Sequence, residues 1–348
     1  GLSGTGKTTL FEQMLYSGGA ISKAESVASG KTVSDNSPEE IERKISIYAS
    51  LAHISWNDNN INIWDTPGSS DFVGEVISAF RSCELAIMLV DGRSGAQIET
   101  IKLWRDLNAR KKPRLVYINR CDDDRSDYDN SFKDVHSKLN ANLCPITIPM
   151  GKGTSYKGVI DVLNGKAYFV PENNQIEKPS DIPAEFMDLY KNAYETLAGT
   201  ASEGDDSLME KFLEEGTLTQ DEIILGLKKA LSENLLVPTF AGSPIKNSGI
   251  IPLLNFLTEI APSPLESYET TGKVGEELTP VQFNPDEPLK AVVVKTASDQ
   301  FSGRLSYIKI VSGTLKGETE LFNISEGRKE KIGKIYRCTG KKLEEIKK

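Results

Sequence analysis

Gly1, Leu2, Ser3, Gly4, Thr5, Gly6, Lys7 and Thr8 set glycines, a lysine and a hydroxyl at the spacing G-x-x-x-x-G-K-[ST]. A glycine-rich loop of this kind can turn its backbone N–H groups around a polyphosphate, and a helix after it aims its N-terminal dipole at the same charge. In that chemistry Lys7 reaches the outer phosphates and the Thr8 hydroxyl ligates Mg²⁺. Farther on, Asp65, Thr66, Pro67 and Gly68 follow an apolar run. An aspartate at the end of a buried strand can hold the magnesium through water, and Gly68 can bring a bare N–H to a γ-phosphate. The run Asn119, Arg120, Cys121 and Asp122 supplies selection of the base. A carboxylate at Asp122 can accept from both N1–H and the N2 amino group of guanine. Adenine offers neither donor, so the charge would stay buried and unpaired, and sites built this way discriminate by roughly 10⁴ or more. Asn119 is expected to brace the first loop, and the backbone of Ala241, Gly242 and Ser243 to meet the base's O6. Taken singly, each motif also fits an ordinary turn. Their order along one chain points to GTP or GDP with Mg²⁺.

The intervening sequence predicts the frame that would hold these residues. Leu10, Phe11, Met14 and Leu15 repeat at helical spacing, and Gly18 and Gly19 end that helix. A strand is expected to precede Gly1 in a longer protein, since such a loop otherwise has no sheet to sit on. Ser37, Pro38 and Glu40 have the form of a capping box. Strand-like runs around the polar turn 57–60 predict a β-hairpin whose second arm delivers Asp65. Apolar runs at 85–90, 114–118 and 236–240 alternate with helical segments. This pattern implies an α/β P-loop domain with a mostly parallel, doubly wound sheet and its ligand at the strands' C-terminal ends.

An insertion is expected at about 156–235. It has strands over 156–170 with Gly158 and Gly165 at turns, then helices over 183–199 and 220–233. Thr219 and Glu222 box the second helix, and Ile223, Ile224, Leu227 and Leu231 share one face. Nothing in the insertion reads as catalytic. The α/β domain is expected to span 1–264, followed by a polar linker at 265–280. From 281 to 348, short strands punctuated by Gly303, Gly313, Gly317, Gly327 and Gly333 predict an all-β barrel, incomplete at Lys348.

Composition narrows the function classes. The 348 residues carry 41 Lys and Arg against 50 Asp and Glu, a net charge of -9 that argues against unaided binding to DNA or other nucleic acid. Residues 316–348 run the other way, with ten basic and six acidic side chains, which fits an RNA-facing side of the barrel and equally a solvated charged face. No apolar run approaches the roughly 20 residues that span a bilayer. Cys83, Cys121, Cys144 and Cys338 stand in no ligand spacing and read as reduced thiols of a cytoplasmic protein. With His53 and His136 alone, neither a histidine metal site nor a Ser-His-Asp triad is expected.

With these residues in hand, the chain resembles bacterial elongation factor G. The guanine motif around Asn247, the insertion segments 156–161 and 209–213, and the stretch 287–347 extend the likeness over nearly the whole length. The resemblance implies a translation GTPase that binds GTP, GDP and Mg²⁺ and acts on the ribosome. Its partners would be ribosomal RNA and proteins near the GTPase-activating region, and it would be monomeric off the ribosome. Ribosomal protection proteins share a related architecture and stay open as an alternative, as does a switch that hydrolyses little. Three positions depart from the family pattern. Ser69 follows Gly68 where the family has a histidine that positions the attacking water, so the catalytic set carried over is Lys7, Gly68 and Ser69, with turnover in doubt. Arg43-Lys-Ile-Ser46 stands for Arg-Gly-Ile-Thr, so Ser46 joins Thr8 and Asp65 as a magnesium candidate and Lys44 replaces a glycine. Asn119-Arg-Cys-Asp122 keeps the base-reading carboxylate.

Overall fold

The computed structural model describes residues 1–172, 175–266, 271–274, 277–281, 283–299 and 303–347. The chain begins with α1 (Lys7–Ser17) and α2 (Pro38–Arg43), then β1 (Ser50–Trp56), β2 (Asn59–Asp65) and α3 (Val73–Ser82). Next come β3 (Ala86–Asp91), α4 (Ile98–Ala109), β4 (Arg114–Asn119), α5 (Tyr128–Leu139) and β5 (Leu143–Pro145). The insertion contributes β6 (Thr147–Met150), β7 (Gly158–Asp161), β8 (Lys166–Phe169), β9 (Pro179–Ser180), α6 (Met187–Ser202), α7 (Asp206–Glu215) and α8 (Gln220–Ser232). The domain closes with β10 (Val237–Ala241) and α9 (Ile250–Glu259).

The apolar runs form a parallel sheet in the order β3-β4-β10-β5. Successive residues of these strands face opposite sides, which is why the runs are continuous rather than alternating. Leu89, Leu115, Tyr117 and Phe240 pack with Leu10 and Met14 of α1 and Leu253 and Phe256 of α9. Met88, Val90, Val116 and Ile118 pack instead with Trp104 and Leu107 of α4 and Val135 and Leu139 of α5. Both faces are therefore covered, and the strands' C-terminal ends stay clear for Asp91, Asn119 and Ala241.

Two local signals in the sequence correspond to built features. Ser37 Oγ accepts from Glu40 N, and the Glu40 carboxylate returns to the Ser37 amide, completing the capping box. In the hairpin, Trp56 faces Asn59, so the turn is Asn57 and Asp58, with φ of 46° and 57°. Both lie in the left-handed region that a two-residue turn of this hand requires and that Asn and Asp tolerate.

The insertion differs from expectation in detail. Its sheet runs β6-β7-β8-β9, all antiparallel, and so starts at Thr147, upstream of 156. Gly158 is not a turn residue: it opens β7 opposite Phe169, at φ 141°, where a Cβ would overlap the Tyr168 carbonyl oxygen. Gly165 does occupy a turn, at φ 59°. Helix α7, which the sequence reading left out, is capped by Asp205 and ended by Gly216 at φ 70°. Residues 267–270 and 275–276 of the expected linker lie outside the described residues. Within that stretch β11 (Thr271–Val274) pairs antiparallel with β12 (Glu277–Pro280).

The C-terminal region is all β. It comprises β13 (Lys290–Asp299), β14 (Gly303–Ser312), β15 (Glu320–Asn323), β16 (Arg328–Lys331), β17 (Ile335–Thr339) and β18 (Lys342–Ile346). Among the described residues these strands pair two by two into antiparallel ribbons. The ribbons hold the segment between α2 and β1. Lys295 Nζ donates to the Ala49 carbonyl at 2.7 Å and pairs with Glu75 at 2.7 Å, while Glu75 accepts from the Ala49 amide at 2.6 Å. Gly340 N donates to Leu51 O at 2.9 Å, and the Trp64 and Tyr307 rings meet at a tilt of 53° with centroids 5.5 Å apart.

Candidate nucleotide-binding site

The loop before α1 is braced from the strand ends. Asn119 Nδ2 donates to the Thr5 carbonyl at 2.7 Å, as the sequence led us to expect, and Arg120 Nη2 donates to the Gly4 carbonyl at 2.6 Å. Gly6 sits at φ 95° and passes so close to Asn119 that a Cβ would overlap its Nδ2. This is a backbone approach that glycine alone permits. The amides of Gly4, Gly6, Lys7 and Thr8 make no hydrogen bond among the described residues. They form a cluster of N–H donors at a helix N-terminus, the arrangement that suits an anion.

Lys7 Nζ lies over the loop and donates to the Leu2 carbonyl at 2.8 Å. Burial lowers its pKa, and the charges of Asp65 and Asp35 oppose that shift. Gly68 closes the other side. Its carbonyl accepts from Ser3 N at 3.1 Å, and any Cβ there would collide with Ser3 N and Lys7 Nζ. Pro67 beside it is buried, and Thr66 is half-buried.

Thr8, Ser46 and Asp65 come from three separate segments and meet. Thr8 Oγ1 donates to Asp65 Oδ2 at 2.7 Å and lies 3.3 Å from Ser46 Oγ. Burial raises the pKa of the Asp65 carboxyl, while Lys7, Ser34 and Thr8 pull it down. These hard oxygen donors fit a small divalent cation. Asp35, which the sequence reading missed, strengthens the fit. It is 3% exposed, and no hydrogen bond of normal geometry ties either carboxylate oxygen among the described residues. Burial pushes its pKa up to about 6, with the Ser46 hydroxyl beside it holding the value down and the Asp65 charge raising it. A buried, unsatisfied carboxylate beside Ser46 and Asp65 is a group that a cation would stabilise.

Ser46 owes its position to Glu40, whose carboxylate accepts from the amides of Asn36, Ser37, Ile47 and Tyr48. Lys44, where a glycine was the family expectation, takes the left-handed conformation at φ 55°. For an L-residue this costs about 1–2 kcal/mol.

Ser69 follows Gly68 as the cap of a short helical turn, Ser70–Phe72. Its hydroxyl accepts from Asp71 N at 3.3 Å and donates to Asp71 Oδ2 at 3.2 Å. The group is therefore engaged locally.

At the base end, Ser243 Oγ donates to Asp122 Oδ1 at 2.6 Å, an alignment of the carboxylate that the sequence did not reveal. The backbone of 241–243, expected to meet the base's O6, is itself hydrogen-bonded to neighbouring elements. Ala241 N donates to Thr147 Oγ1 at 2.8 Å, Gly242 N to Ile118 O at 3.1 Å and Ser243 N to Ser248 O at 2.9 Å. All three amides are thus engaged within the protein. Cys121 is buried, and burial pushes its thiol up to about 12, so it serves packing rather than chemistry.

Comparison with known proteins agrees with this geometry. Residues 1–263 match the family described as Elongation factor Tu GTP binding domain, and residues 288–348 match Elongation factor G domain 2. The fold superposes on the crystal structure of ttk003000868 from Thermus thermophilus with a TM-score of 0.87 and 29% sequence identity. That match covers 100% of this chain and 49% of the Thermus protein, so the chain spans about half its relative's length. A GTP-binding domain matched over residues 1–263, with a domain 2 match after it, makes the chain a member of the translational GTPase family.

Proposed function

We propose that this chain is the guanine-nucleotide-binding region of an elongation factor G-like translational GTPase, one that binds GTP and GDP with Mg²⁺ and acts on the ribosome. The observation that carries the reading is the convergence of Thr8, Ser46 and Asp65 beside a loop whose Gly4, Gly6, Lys7 and Thr8 amides make no hydrogen bond among the described residues. In this reading the loop amides and Lys7 hold the phosphates, and Lys7 gives up its bond to the Leu2 carbonyl to do so. Thr8, Ser46 and Asp65 hold the metal, directly or through water, with Asp35 as a further acceptor. A Mg²⁺ ion held there would supply charge neutralisation for the phosphates. Asp122 reads the guanine edge while Ser243 holds it in place and Asn119 braces the loop. Partners follow from the family: ribosomal RNA and protein near the GTPase-activating region, in the cytoplasm, with no membrane and no DNA.

A second reading, a GTP-binding ribosome switch with slow hydrolysis, is favoured by Ser69. Its hydroxyl is tied to Asp71. A serine side chain is also too short to orient water from the place where the family uses histidine. Lys7, Gly68 and the loop amides would still bind and polarise the phosphates, so affinity survives while the water is poorly aimed.

Two variants test phosphate capture. Lys7→Ala is expected to weaken GDP and GTP binding by roughly 10²-fold, about 3 kcal/mol, because a buried polyphosphate loses its main point charge. Thr8→Ala should instead weaken binding in Mg²⁺ and change little in EDTA. Fluorescent-nucleotide titrations of both variants, with and without metal, measure this. Parent-like binding by both would reduce the first eight residues to a turn.

A further inference from the structure

Glu177 lies in the inserted subdomain, just before β9, and is 4% exposed. Its carboxylate does not face its own sheet. Oε1 accepts from Gly249 N at 2.7 Å, and Oε2 accepts from Ile250 N at 2.9 Å and Ile251 N at 3.0 Å. Two residues earlier, the Gln175 carbonyl accepts from Asn247 Nδ2 at 2.8 Å. A third contact comes from Tyr156, also of the insertion, whose hydroxyl is 2.9 Å from Ser248 Oγ.

The loop held in this way, between β10 and α9, touches Asp122 through Ser243. Ser248 exchanges backbone hydrogen bonds with Ser243, N to O at 2.9 Å and 3.0 Å, and Ser243 Oγ donates to Asp122. We propose that Glu177 is a positioning residue through which the inserted subdomain sets the placement of Ser243 and Asp122, and hence the selectivity for guanine. The proposal rests on the reading of Asp122 as the base contact. Burial pushes the Glu177 carboxyl up to about 7 despite the backbone hydrogen bonds that pull it down. A buried carboxylate is costly, and here that cost is offset by hydrogen bonds from Gly249, at the end of this loop, and from the first turn of α9.

The test separates loop placement from simple stability. Inosine diphosphate lacks the N2 amino group that Asp122 accepts from, so the ratio of inosine to guanosine diphosphate dissociation constants reports on Asp122. In competition against a fluorescent GDP analogue, Glu177→Ala is expected to lower that ratio by roughly tenfold, with Glu177→Gln intermediate. Tyr156→Phe and Asn247→Ala should each lower it a few-fold. These two milder variants carry the test if Glu177→Ala does not fold. Thermal melting run in parallel shows stability, which a mere helix cap would change without moving the ratio. A selective parent whose folded variants keep the parent ratio overturns the role of Glu177. A parent that binds both diphosphates equally instead contradicts the reading of Asp122 itself.

Discussion

Asp122→Asn is expected to cost GDP roughly 10³-fold in affinity while bringing xanthosine diphosphate into the micromolar range or better. In the proposed reading the carboxylate accepts two hydrogen bonds from the guanine edge. An amide in its place presents one donor, which opposes the base's N2 amino group and meets the C2 carbonyl of xanthine instead. Ser243 makes the effect clean, because its hydroxyl donates to Asp122 Oδ1 at 2.6 Å and can donate equally to an amide oxygen. The variant side chain should therefore keep its place and change only its hydrogen-bonding character. Competition titrations with the two diphosphates measure the exchange. Unchanged GDP affinity in a folded Asp122→Asn protein would remove the base contact from this residue.

The second large effect concerns turnover. Phosphoryl transfer in this class depends on positioning and charge stabilisation, with little covalent help from the protein. The Ser69 hydroxyl is hydrogen-bonded to Asp71, and in the slow-hydrolysis reading no side chain at this position aims the water. Ser69→His is expected to raise ribosome-stimulated GTP hydrolysis of the full-length protein by roughly 10²–10⁴-fold, about 3–5 kcal/mol of barrier. GDP affinity should stay within a factor of about two, since Lys7, Thr8 and the loop amides are untouched. Single-turnover assays with and without ribosomes read the effect. If the parent already hydrolyses GTP on ribosomes as fast as elongation factor G, another side chain aims the water and this account of Ser69 fails.

Much of the α/β frame was legible in the sequence because its signals are local. Lys7 to Leu15 combine a helix period with a glycine stop, and the stretches 85–90 and 115–118 are apolar throughout because helices cover both faces of their sheet. The site motifs were legible because each sits within a few residues of a strand end. What escaped was either short or non-local. β5 and β6 are three and four residues long, too short to show a period. α7 fully buries Leu208 and packs Phe212 partly against the core but leaves Met209 and Leu213 exposed, so its apolar residues do not mark one core-facing stripe. Gly158 reads as a turn residue until the close approach of β8 is seen. Asp35 is an ordinary aspartate in a polar stretch, and the structure alone shows it buried beside Ser46 and Asp65. The Asp122–Ser243 and Glu177–Gly249 contacts join residues 121 and 72 positions apart, a distance over which spacing carries no information. The bonding of the 241–243 amides was hidden for a related reason, since the acceptors that engage them come from β4, β6 and the loop before α9.

The central claim is that this site holds a guanine nucleotide with magnesium, and isothermal calorimetry of the purified protein tests it most directly. GDP and GTP should bind in Mg²⁺, more weakly in EDTA, while ADP and ATP give no measurable heat of binding at the same concentrations. ATP binding as tightly as GTP, or guanine nucleotides failing to bind a folded protein in Mg²⁺, would contradict it.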